Sequence, residues 1–169
     1  MEAAAPITLV DVRELAPLAQ EVIASFERDL GSALANVEVH HIGATSLPFG
    51  LTKGDVDVNV RVDESRFPAV VETLDERLAA AQPDNWTATF ASFSADAYAL
   101  PLGVQVTVIG SPDDFLLALR DHMRADASLL RRYDNIKVAA AAGGSDAYWM
   151  AKDALLRQVL STMRRGHRG

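Results

Sequence analysis

The sequence predicts an α/β (α+β) fold, with a small layer of strands and helices followed by a helical C-terminal portion. Three observations support this prediction. Apolar and polar residues alternate with a period of two between residues 55 and 62, strand-like and helix-like segments mix through the first 110 residues, and only helical patterns follow Ser111-Pro112. The 169 residues, of which 49% are hydrophobic, fit one domain over 1–169. We divide it into a mixed core at 1–110 and a helical portion at 111–169.

Two helices are predicted in the first half of the chain. Apolar residues from Glu14 to Leu30 recur at steps of three and four, as on one stripe of an amphipathic helix, and Gly31 stands where a C-cap would. Residues Ser65 to Ala80 predict a second helix with Ser65 as its N-cap.

Four strands are predicted around these helices. The clearest carries its valines on one face and polar residues on the other; these are Val56, Val58, Val60 and Val62 against Asp55, Asp57, Asn59 and Arg61. Strands are also expected at Asn36–Ile42, Trp86–Phe93 and Val104–Ile109. The glycines and proline between Gly43 and Lys53 predict a loop.

Three helices are predicted in the C-terminal portion, over Asp113–Arg124, Ala127–Ala142 and Ser145–Arg165. Ser145 is the expected cap of the last helix. The basic end of the chain, which contains Arg164, Arg165, His167 and Arg168, is typical of a solvated terminus.

The charge of the chain is unevenly distributed. Residues 1–119 carry 6 basic and 18 acidic side chains, a net charge of −12, whereas residues 120–169 carry 10 and 5, a net charge of +5. The acidic total argues against general binding of duplex DNA, which depends on neutralising phosphates. The basic C-terminal third remains suited to a small polyanion.

The composition also excludes several classes of protein. The absence of cysteine excludes a disulfide framework, a thiolate metal site and a cysteine nucleophile. Residues Met1 to Val10 lack the features of a secretory leader, and no uncharged run is long enough to cross a bilayer. A cytoplasmic protein without a membrane partner is therefore expected.

Two carboxylates on the polar strand are candidate metal ligands. Asp55 and Asp57 are two residues apart, so both side chains leave the same face of the strand. Hard oxygen ligands of this kind suit Mg²⁺, which completes its shell with water and substrate phosphates. The alternative is a solvated strand face that binds nothing.

The loop before this strand contains a glycine, two hydroxyls and a cation, at Gly43, Thr45, Ser46 and Lys53. Glycine allows a polyphosphate to approach the backbone, N–H and hydroxyl groups donate to it, and lysine adds positive charge. The alternative is a simple connection in which Gly43 only supplies a positive φ.

These residues resemble the signature of the GrpB family, also called UPF0157, a branch of the nucleotidyltransferase superfamily. The resemblance begins at residues 41–48, His-Ile-Gly-Ala-Thr-Ser-Leu-Pro, and continues through Lys53 and Val56-Asp57-Val58. The helical portion is also similar to the family pattern, at Phe115, Leu119-Arg120-Asp121-His122-Met123-Arg124, Tyr133, Lys137, Tyr148 and Lys152.

The resemblance implies a polymerase-β-like fold, in which a short mixed sheet is flanked by helices. It implies binding of a nucleoside triphosphate with Mg²⁺ and transfer of its nucleotidyl group to an acceptor that the sequence does not identify. Asp55 and Asp57 would be the catalytic, metal-binding pair. Residues Gly43, Ala44, Thr45, Ser46 and Lys53 would contact the phosphates.

The chain departs from the family pattern at two places. Ala44 replaces a serine whose hydroxyl would contact the phosphates. Active members of the superfamily place a third carboxylate on a neighbouring strand, where this chain has Gln105 and Thr107. Asp96 and Asp113, on either side of that strand, are irregular substitutes.

The C-terminal helices offer cations and aromatic rings for the nucleotide. Tyr133 and Lys137 are four residues apart, as are Tyr148 and Lys152, so each pair shares a helix face. With Arg120, these lysines are candidates to bind phosphates, and a tyrosine is a candidate to stack on the base. The alternative is ordinary packing of a lysine stem beside a tyrosine.

Three functions therefore remain open from the sequence. The first is a nucleotidyltransferase. The second, which Ala44 and the missing third acid favour, is an inactive nucleotide- or partner-binding module of the same fold. The third is an interaction subunit whose charged faces meet another protein.

Overall fold

The computed structural model describes residues 5–167, so part of the Met1–Val10 segment and Arg168 of the basic end lie outside the described residues. The strands are β1 (Val10–Asp11), β2 (Glu38–Ile42), β3 (Leu51–Thr52), β4 (Val56–Val62), β5 (Ala79–Ala80), β6 (Phe90–Ala95) and β7 (Leu102–Val108). The α-helices are α1 (Val12–Leu30), α2 (Phe67–Asp75), α3 (Leu116–Arg124), α4 (Ala127–Ala141) and α5 (Gly144–Gly166).

The main sheet of the described chain has the strand order β2-β4-β7-β6-β5. β4 pairs antiparallel with β2 and parallel with β7, and β6 pairs antiparallel with β7. The prediction of a short mixed sheet flanked by helices, with a helical C-terminal portion, is confirmed. A two-residue pairing between β1 and β3, which the sequence analysis missed, fastens the start of α1 to the loop before β4.

The valine face of β4 forms the centre of the hydrophobic core. Its four valines are at most 1% exposed and pack with residues of α1 and α2, including Val22, Phe26, Val70 and Leu74. Burial of each such side chain contributes on the order of 1.5–3 kcal/mol. This packing explains the strict period of two, because every second side chain of β4 enters the core and the polar side chains between them lie on the opposite face.

The polar face of β4 is turned toward the C-terminal helices. A second hydrophobic cluster joins α3, α4 and α5 to the loop after β2 through Leu47, Leu119, Met123, Leu130, Tyr133, Leu155 and Val159. The three helices thus hold one another together and cover the sheet, and the space between them and β4 is the site described below.

Several predicted boundaries were wrong. The second helix begins at Phe67 without a side-chain cap, so Ser65 is not its N-cap; the preceding turn is closed by backbone bonds to Asp63. That helix ends at Asp75 because Ala79 and Ala80 pair with β6. The predicted Trp86–Phe93 strand lies at Phe90–Ala95, since the N–H of Thr87 donates to the carbonyl of Phe90 and closes a turn before the strand.

The helical portion differs from prediction only at its ends. α3 begins at Leu116 rather than Asp113, after a loop in which Asp114 binds Arg61. α5 begins at Gly144, and no side chain caps it, so Ser145 is not its cap. Across residues 5–167, none of the helices combines the length and apolar character needed to span a membrane.

Candidate functional site

A cavity of about 240 Å³ lies between the polar face of the sheet and the C-terminal helices. It brings together six of the candidate site residues, from five separate parts of the chain; these are Gly43, Ala44, Asp57, Arg120, Tyr133 and Lys152. Its wall is completed by Ile42, Leu47, Gln105, Leu116, Leu119, Met123, Trp149, Asp153 and Leu156. Asp57 of the acidic pair thus lies with two cations of the basic portion, Arg120 and Lys152, whereas Asp55 and Lys137 do not line the cavity.

The carboxylate of Asp57 is held between two glycines. Asp57 pairs with Gly103 across β4 and β7, and Oδ1 lies where a β-carbon on residue 103 would be. On the other side, a β-carbon on Gly43 would lie 2.5 Å from Oδ2. Gly43 also has a φ of +73°, so this one residue supplies both a left-handed turn and the space beside the carboxylate.

The electrostatic environment of Asp57 disfavours its charged form. Burial raises the pKa of this carboxyl to about 7, and the neighbouring charge of Asp55 adds to the effect, whereas Lys152 and Lys53 oppose it. Burial conversely lowers the pKa of Lys152, against the attraction of both aspartates. A cation entering the cavity would relieve the repulsion between the two carboxylates.

Asp55 is neutralised by a lysine that also contacts an aromatic ring. Lys53 Nζ lies 3.2 Å from Asp55 Oδ2 and 4.7 Å from the centre of the Trp149 ring. Lys152 Nζ lies 4.6 Å from the same ring and 5.2 Å from that of Tyr148. Two ammonium groups are thus held beside the Asp55–Asp57 pair by an indole that is 47% exposed.

The loop after β2 is organised by its own hydroxyls. Ser46 Oγ donates to the carbonyl of Gly43 at 2.6 Å, and Thr45 Oγ1 bonds to His41 Nε2 at 2.9 Å. Burial, with the charges of Arg124 and Arg120, lowers the pKa of His41 to about 4, so its ring is neutral at pH 7. Both hydroxyls therefore have partners within the loop, and Ala44 faces the cavity.

Two arginines of α3 fix this loop from outside. Arg124 donates to the carbonyl of Ser46 from Nε at 3.0 Å and from Nη2 at 2.6 Å. Arg120 donates to the carbonyl of His41 at 2.9 Å and pairs with Asp121 at 2.8 Å. These bonds hold loop carbonyls toward α3 and place Arg120 in the cavity wall.

The two predicted tyrosine–lysine pairs have different surroundings. Lys137 is 1% exposed, donates to the carbonyl of Leu51, pairs with Asp134 at 3.0 Å and lies against Tyr133. It therefore fastens the loop before β4 to α4 and does not line the cavity. Lys152 does line the cavity, and Tyr148 is buried behind it.

A third carboxylate does not join the pair in the described residues. Gln105 lines the cavity, and Thr107 is buried. Asp113 accepts hydrogen bonds from Thr87 and Thr89, and across residues 5–167 no group of three acidic or histidine side chains is arranged to hold a metal. Asp153 lines the cavity but pairs with Arg157 at 2.6 Å.

Sequence reasoning missed two residues of the site. Gly103 was hidden because a glycine in a strand carries no side-chain pattern. Trp149 belongs to no motif found in the sequence, but its ring lies at the cavity beside two lysines. Asn59 lies on the predicted polar face of β4 but is fully buried outside the cavity; it donates to Thr107 Oγ1 at 2.9 Å, and its Oδ1 has no partner in the described part of the chain.

Comparison with known proteins agrees with the resemblance in the sequence. The family model described as GrpB protein matches residues 9–162. The UPF0157 protein VC_A0354 of Vibrio cholerae serotype O1 is 24% identical over 135 residues, which are 80% of this chain and 72% of that protein.

A solved structure of the same fold is also found. The crystal structure of conserved protein GrpB from Enterococcus faecalis aligns with a TM-score of 0.61 and 18% identity, covering 90% of this chain and 99% of that one. The Cid1 poly(U) polymerase aligns with a TM-score of 0.43 and 13% identity, covering 83% of this chain and 47% of that one. Because the family model spans nearly all of the chain, the protein belongs to the GrpB family.

Proposed function

We propose that this protein binds a nucleoside triphosphate with Mg²⁺ in the cavity and transfers its nucleotidyl group to an acceptor. The observation that carries the proposal is the Asp57 carboxylate, placed between two glycines on the floor of a cavity that also contains cations. Mg²⁺ is commonly bound by one or two carboxylates together with substrate phosphates, and this arrangement offers a carboxylate for the metal and cations for the phosphates.

The two aspartates fit a magnesium ion chemically. Asp57 and Asp55 are oxygen ligands near each other, and the missing side chains at positions 43 and 103 leave space around Asp57. A bound Mg²⁺ would neutralise charge on the phosphates of the nucleotide. Two carboxylates without a third suit one such ion better than the two that a fully acidic site holds.

The phosphates have donors on three sides. In the loop, the N–H groups of Ser46 and Leu47 close the turn, whereas those of Ala44 and Thr45 have no partner in residues 5–167. Lys152 and Arg120 add positive charge from the opposite wall. Lys53 can exchange Asp55 for a phosphate, since its ammonium is already at the site.

The base is best placed against Trp149. Its ring is 47% exposed, whereas Tyr133 and Tyr148 are only 4% and 1% exposed. An exposed indole offers a face on which a base can stack. This assignment replaces the tyrosines as the principal stacking residues and leaves Tyr133 as part of the wall.

In the proposed transfer step, one bond to the α-phosphorus forms and another breaks. An oxygen of the acceptor forms a bond to the α-phosphorus, the bond from that phosphorus to the bridging oxygen of the β-phosphate breaks, and pyrophosphate leaves. The acceptor proton passes to solvent. Lys152 and Arg120 stabilise the negative charge that develops on the phosphate oxygens.

A second candidate is a nucleotide-binding module that does not catalyse transfer. The absence of a third carboxylate grouped with Asp55 and Asp57, among the described residues, favours it. In that case the same residues bind the nucleotide, and occupancy of the cavity is the signal that the protein transmits.

Labelled nucleotides distinguish these two functions. Each of the four ribonucleoside triphosphates, labelled at the α-phosphate, is incubated with the protein, Mg²⁺ and cell extract. Asp57→Asn is the test variant, and Asp75→Asn, on the exposed side of α2, is the matched control. Label transferred by the wild type and Asp75→Asn but not by Asp57→Asn supports transfer. Magnesium-dependent binding without transfer supports the nucleotide-binding module. If the protein shows neither transfer nor binding, both proposed functions are overturned.

A further inference from the structure

A groove of about 660 Å³ runs along the outer surface between α3 and α5. Its floor is apolar, with Phe115, Leu116, Leu119, Leu156 and Leu160. Its rim is polar and basic, with Ser161, Arg157, Arg164 and Arg165. We call this surface the α3–α5 groove.

The α3–α5 groove lies next to the cavity proposed to bind the nucleotide. Leu116, Leu119, Asp153 and Leu156 line both spaces, so the two share a wall. A molecule lying in the groove would therefore be adjacent to a nucleotide in the cavity. An acceptor must be held on such a neighbouring surface to meet a bound nucleotide.

The rim carries positive charge that the protein itself leaves largely uncompensated. Arg157 pairs with Asp153 at 2.6 Å, but neither Arg164 nor Arg165 forms an ion pair within residues 5–167. All three arginines lie on the exposed side of α5 in a chain whose net charge is −7. The groove therefore complements an acidic ligand with an apolar face.

We propose that the α3–α5 groove docks an acidic, amphipathic segment of a partner protein, and that a hydroxyl side chain of this segment is the acceptor. The floor selects a protein segment rather than RNA, because it consists of four leucines and a single aromatic ring, whereas unpaired bases need aromatic platforms. An amphipathic helix laid between two helices buries its apolar side chains in such a floor.

The acceptor role rests on the proposed function, and its chemistry is that of the transfer step above. The serine, threonine or tyrosine oxygen of the partner bonds to the α-phosphorus, pyrophosphate leaves, and the hydroxyl proton passes to solvent. The product is a partner protein carrying a phosphodiester-linked nucleotide. Docking itself requires no nucleotide, so it is tested separately.

The test selects short random peptides, displayed on phage, against the immobilised protein. Arg164→Glu/Arg165→Glu serves for counter-selection, and Arg131→Glu/Arg132→Glu on α4 is the charge-matched control. Ser161→Trp, at an exposed position on the rim, blocks the groove without changing its charge. Circular dichroism verifies that each variant is folded.

We expect the selected peptides to be acidic, with apolar residues at steps of three and four. Fluorescence anisotropy should show that Arg164→Glu/Arg165→Glu and Ser161→Trp each weaken their binding by about tenfold or more, and that the α4 control does not. The proposal is overturned if no peptide is enriched, or if a random single-stranded RNA pool binds the rim more tightly than the peptides. It is also overturned if light scattering shows that the rim variant converts a dimer into a monomer, since a second copy then occupies the groove.

Nucleotide binding measured on the same preparations keeps the two proposals apart. Peptide docking without nucleotide binding overturns the proposed function but leaves docking in place. Nucleotide binding without docking overturns the inference alone.

Discussion

Asp57 and Gly103 are paired across β4 and β7, and Oδ1 of Asp57 occupies the space in which a side chain on residue 103 would begin. Gly43 leaves the corresponding space beside Oδ2. The site therefore depends on two missing side chains as much as on one carboxylate.

Gly103→Ala should displace the Asp57 carboxylate. Because that group is the end of a side chain and can rotate, we expect the free energy of unfolding to fall by no more than about 1–3 kcal/mol. Nucleotide affinity should fall by about tenfold or more, since rotation removes the proposed metal ligand from the cavity. Chemical denaturation and calorimetric titration measure the two effects.

Gly43→Ala should also displace the Asp57 carboxylate, and it strains the backbone in addition. Gly110→Ala is its control. Both glycines have a positive φ, +73° and +78°, but nothing lies within 4 Å of a β-carbon on Gly110. Each substitution should destabilise the fold by about 1–2 kcal/mol. Only Gly43→Ala should also weaken nucleotide binding; equal affinities for the two variants would contradict the assignment.

Asp57→Asn should alter the pH dependence of stability. The pKa of Asp57 is raised from 3.8 to about 7, so below about pH 4 the carboxyl is protonated in both folded and unfolded chains. Between about pH 4 and pH 7 the unfolded chain releases this proton first, and the wild type loses stability as the pH rises. The asparagine of the variant does not titrate, so the advantage of the variant should grow by up to about 1.4 kcal/mol per pH unit across this range and then level off.

Denaturation in metal-free buffer with a chelator measures this difference. His41 acts in the opposite direction, because its lowered pKa makes stability fall as the pH drops below about 6.5, but it is present in both proteins and cancels in the comparison. Asp75→Asn supplies the control. An advantage of Asp57→Asn that is the same at low and neutral pH would show that Asp57 has no raised pKa.

Lys137→Met and Lys152→Met should have opposite consequences. Lys137→Met leaves Asp134 and the Leu51 carbonyl without their cation, and we expect a loss of about 3–5 kcal/mol of stability. Lys152→Met removes a lysine that makes contacts with two aromatic rings but no hydrogen bond or ion pair within residues 5–167, so stability should change by about 1 kcal/mol or less, while nucleotide affinity falls.

Thermal unfolding and nucleotide titration of the two lysine variants give the readouts. The matched control for Lys137 is the double variant Lys137→Met/Asp134→Asn, which removes both charges and should recover part of the lost stability. A stable Lys137→Met that binds nucleotide poorly would restore Lys137 to the phosphate site.

Arg124→Gln should loosen the phosphate-binding loop. The guanidinium makes two bonds to the carbonyl of Ser46, and hydrogen bonds from a charged group contribute about 1.5–3 kcal/mol. Hydrogen exchange of the hydrogen-bonded amides of Ser46 and Leu47 should accelerate in this variant and stay at the wild-type rate in Arg131→Gln, which changes an exposed arginine of α4. Unchanged exchange in Arg124→Gln would mean that the loop holds its shape without α3.

The sequence predicted those parts of the site that depend on local patterns. The alternation at residues 55–62 located β4 and placed Asp57 on its polar face, because burial of one face of a strand imposes a period of two; Asp55 lies just before the strand begins. The glycine and hydroxyls of residues 43–46 located the loop. Both patterns involve neighbours in the chain.

The remaining features depend on contacts between distant segments. Lys137 and Lys152 each follow a tyrosine at the same spacing. Lys137 binds the carbonyl of Leu51 and the carboxylate of Asp134, whereas Lys152 interacts with the charge of Asp57. The tyrosine–lysine spacing alone does not distinguish them; the local difference is Asp134, three residues before Lys137, which becomes its ion-pair partner. Gly103 likewise becomes significant only through its register with Asp57. Ser65 and Ser145 failed as caps because turns closed by backbone groups set where those helices begin.

Isothermal titration calorimetry with Mg²⁺ and each nucleoside triphosphate measures whether Asp57 belongs to a magnesium-dependent nucleotide site, using wild type, Asp57→Asn and Asp75→Asn. We expect a binding heat for at least one nucleotide in the wild type and in Asp75→Asn, which disappears in Asp57→Asn and when a chelator replaces the metal. Equal heats for wild type and Asp57→Asn, or no heat with any of the nucleotides, would contradict it.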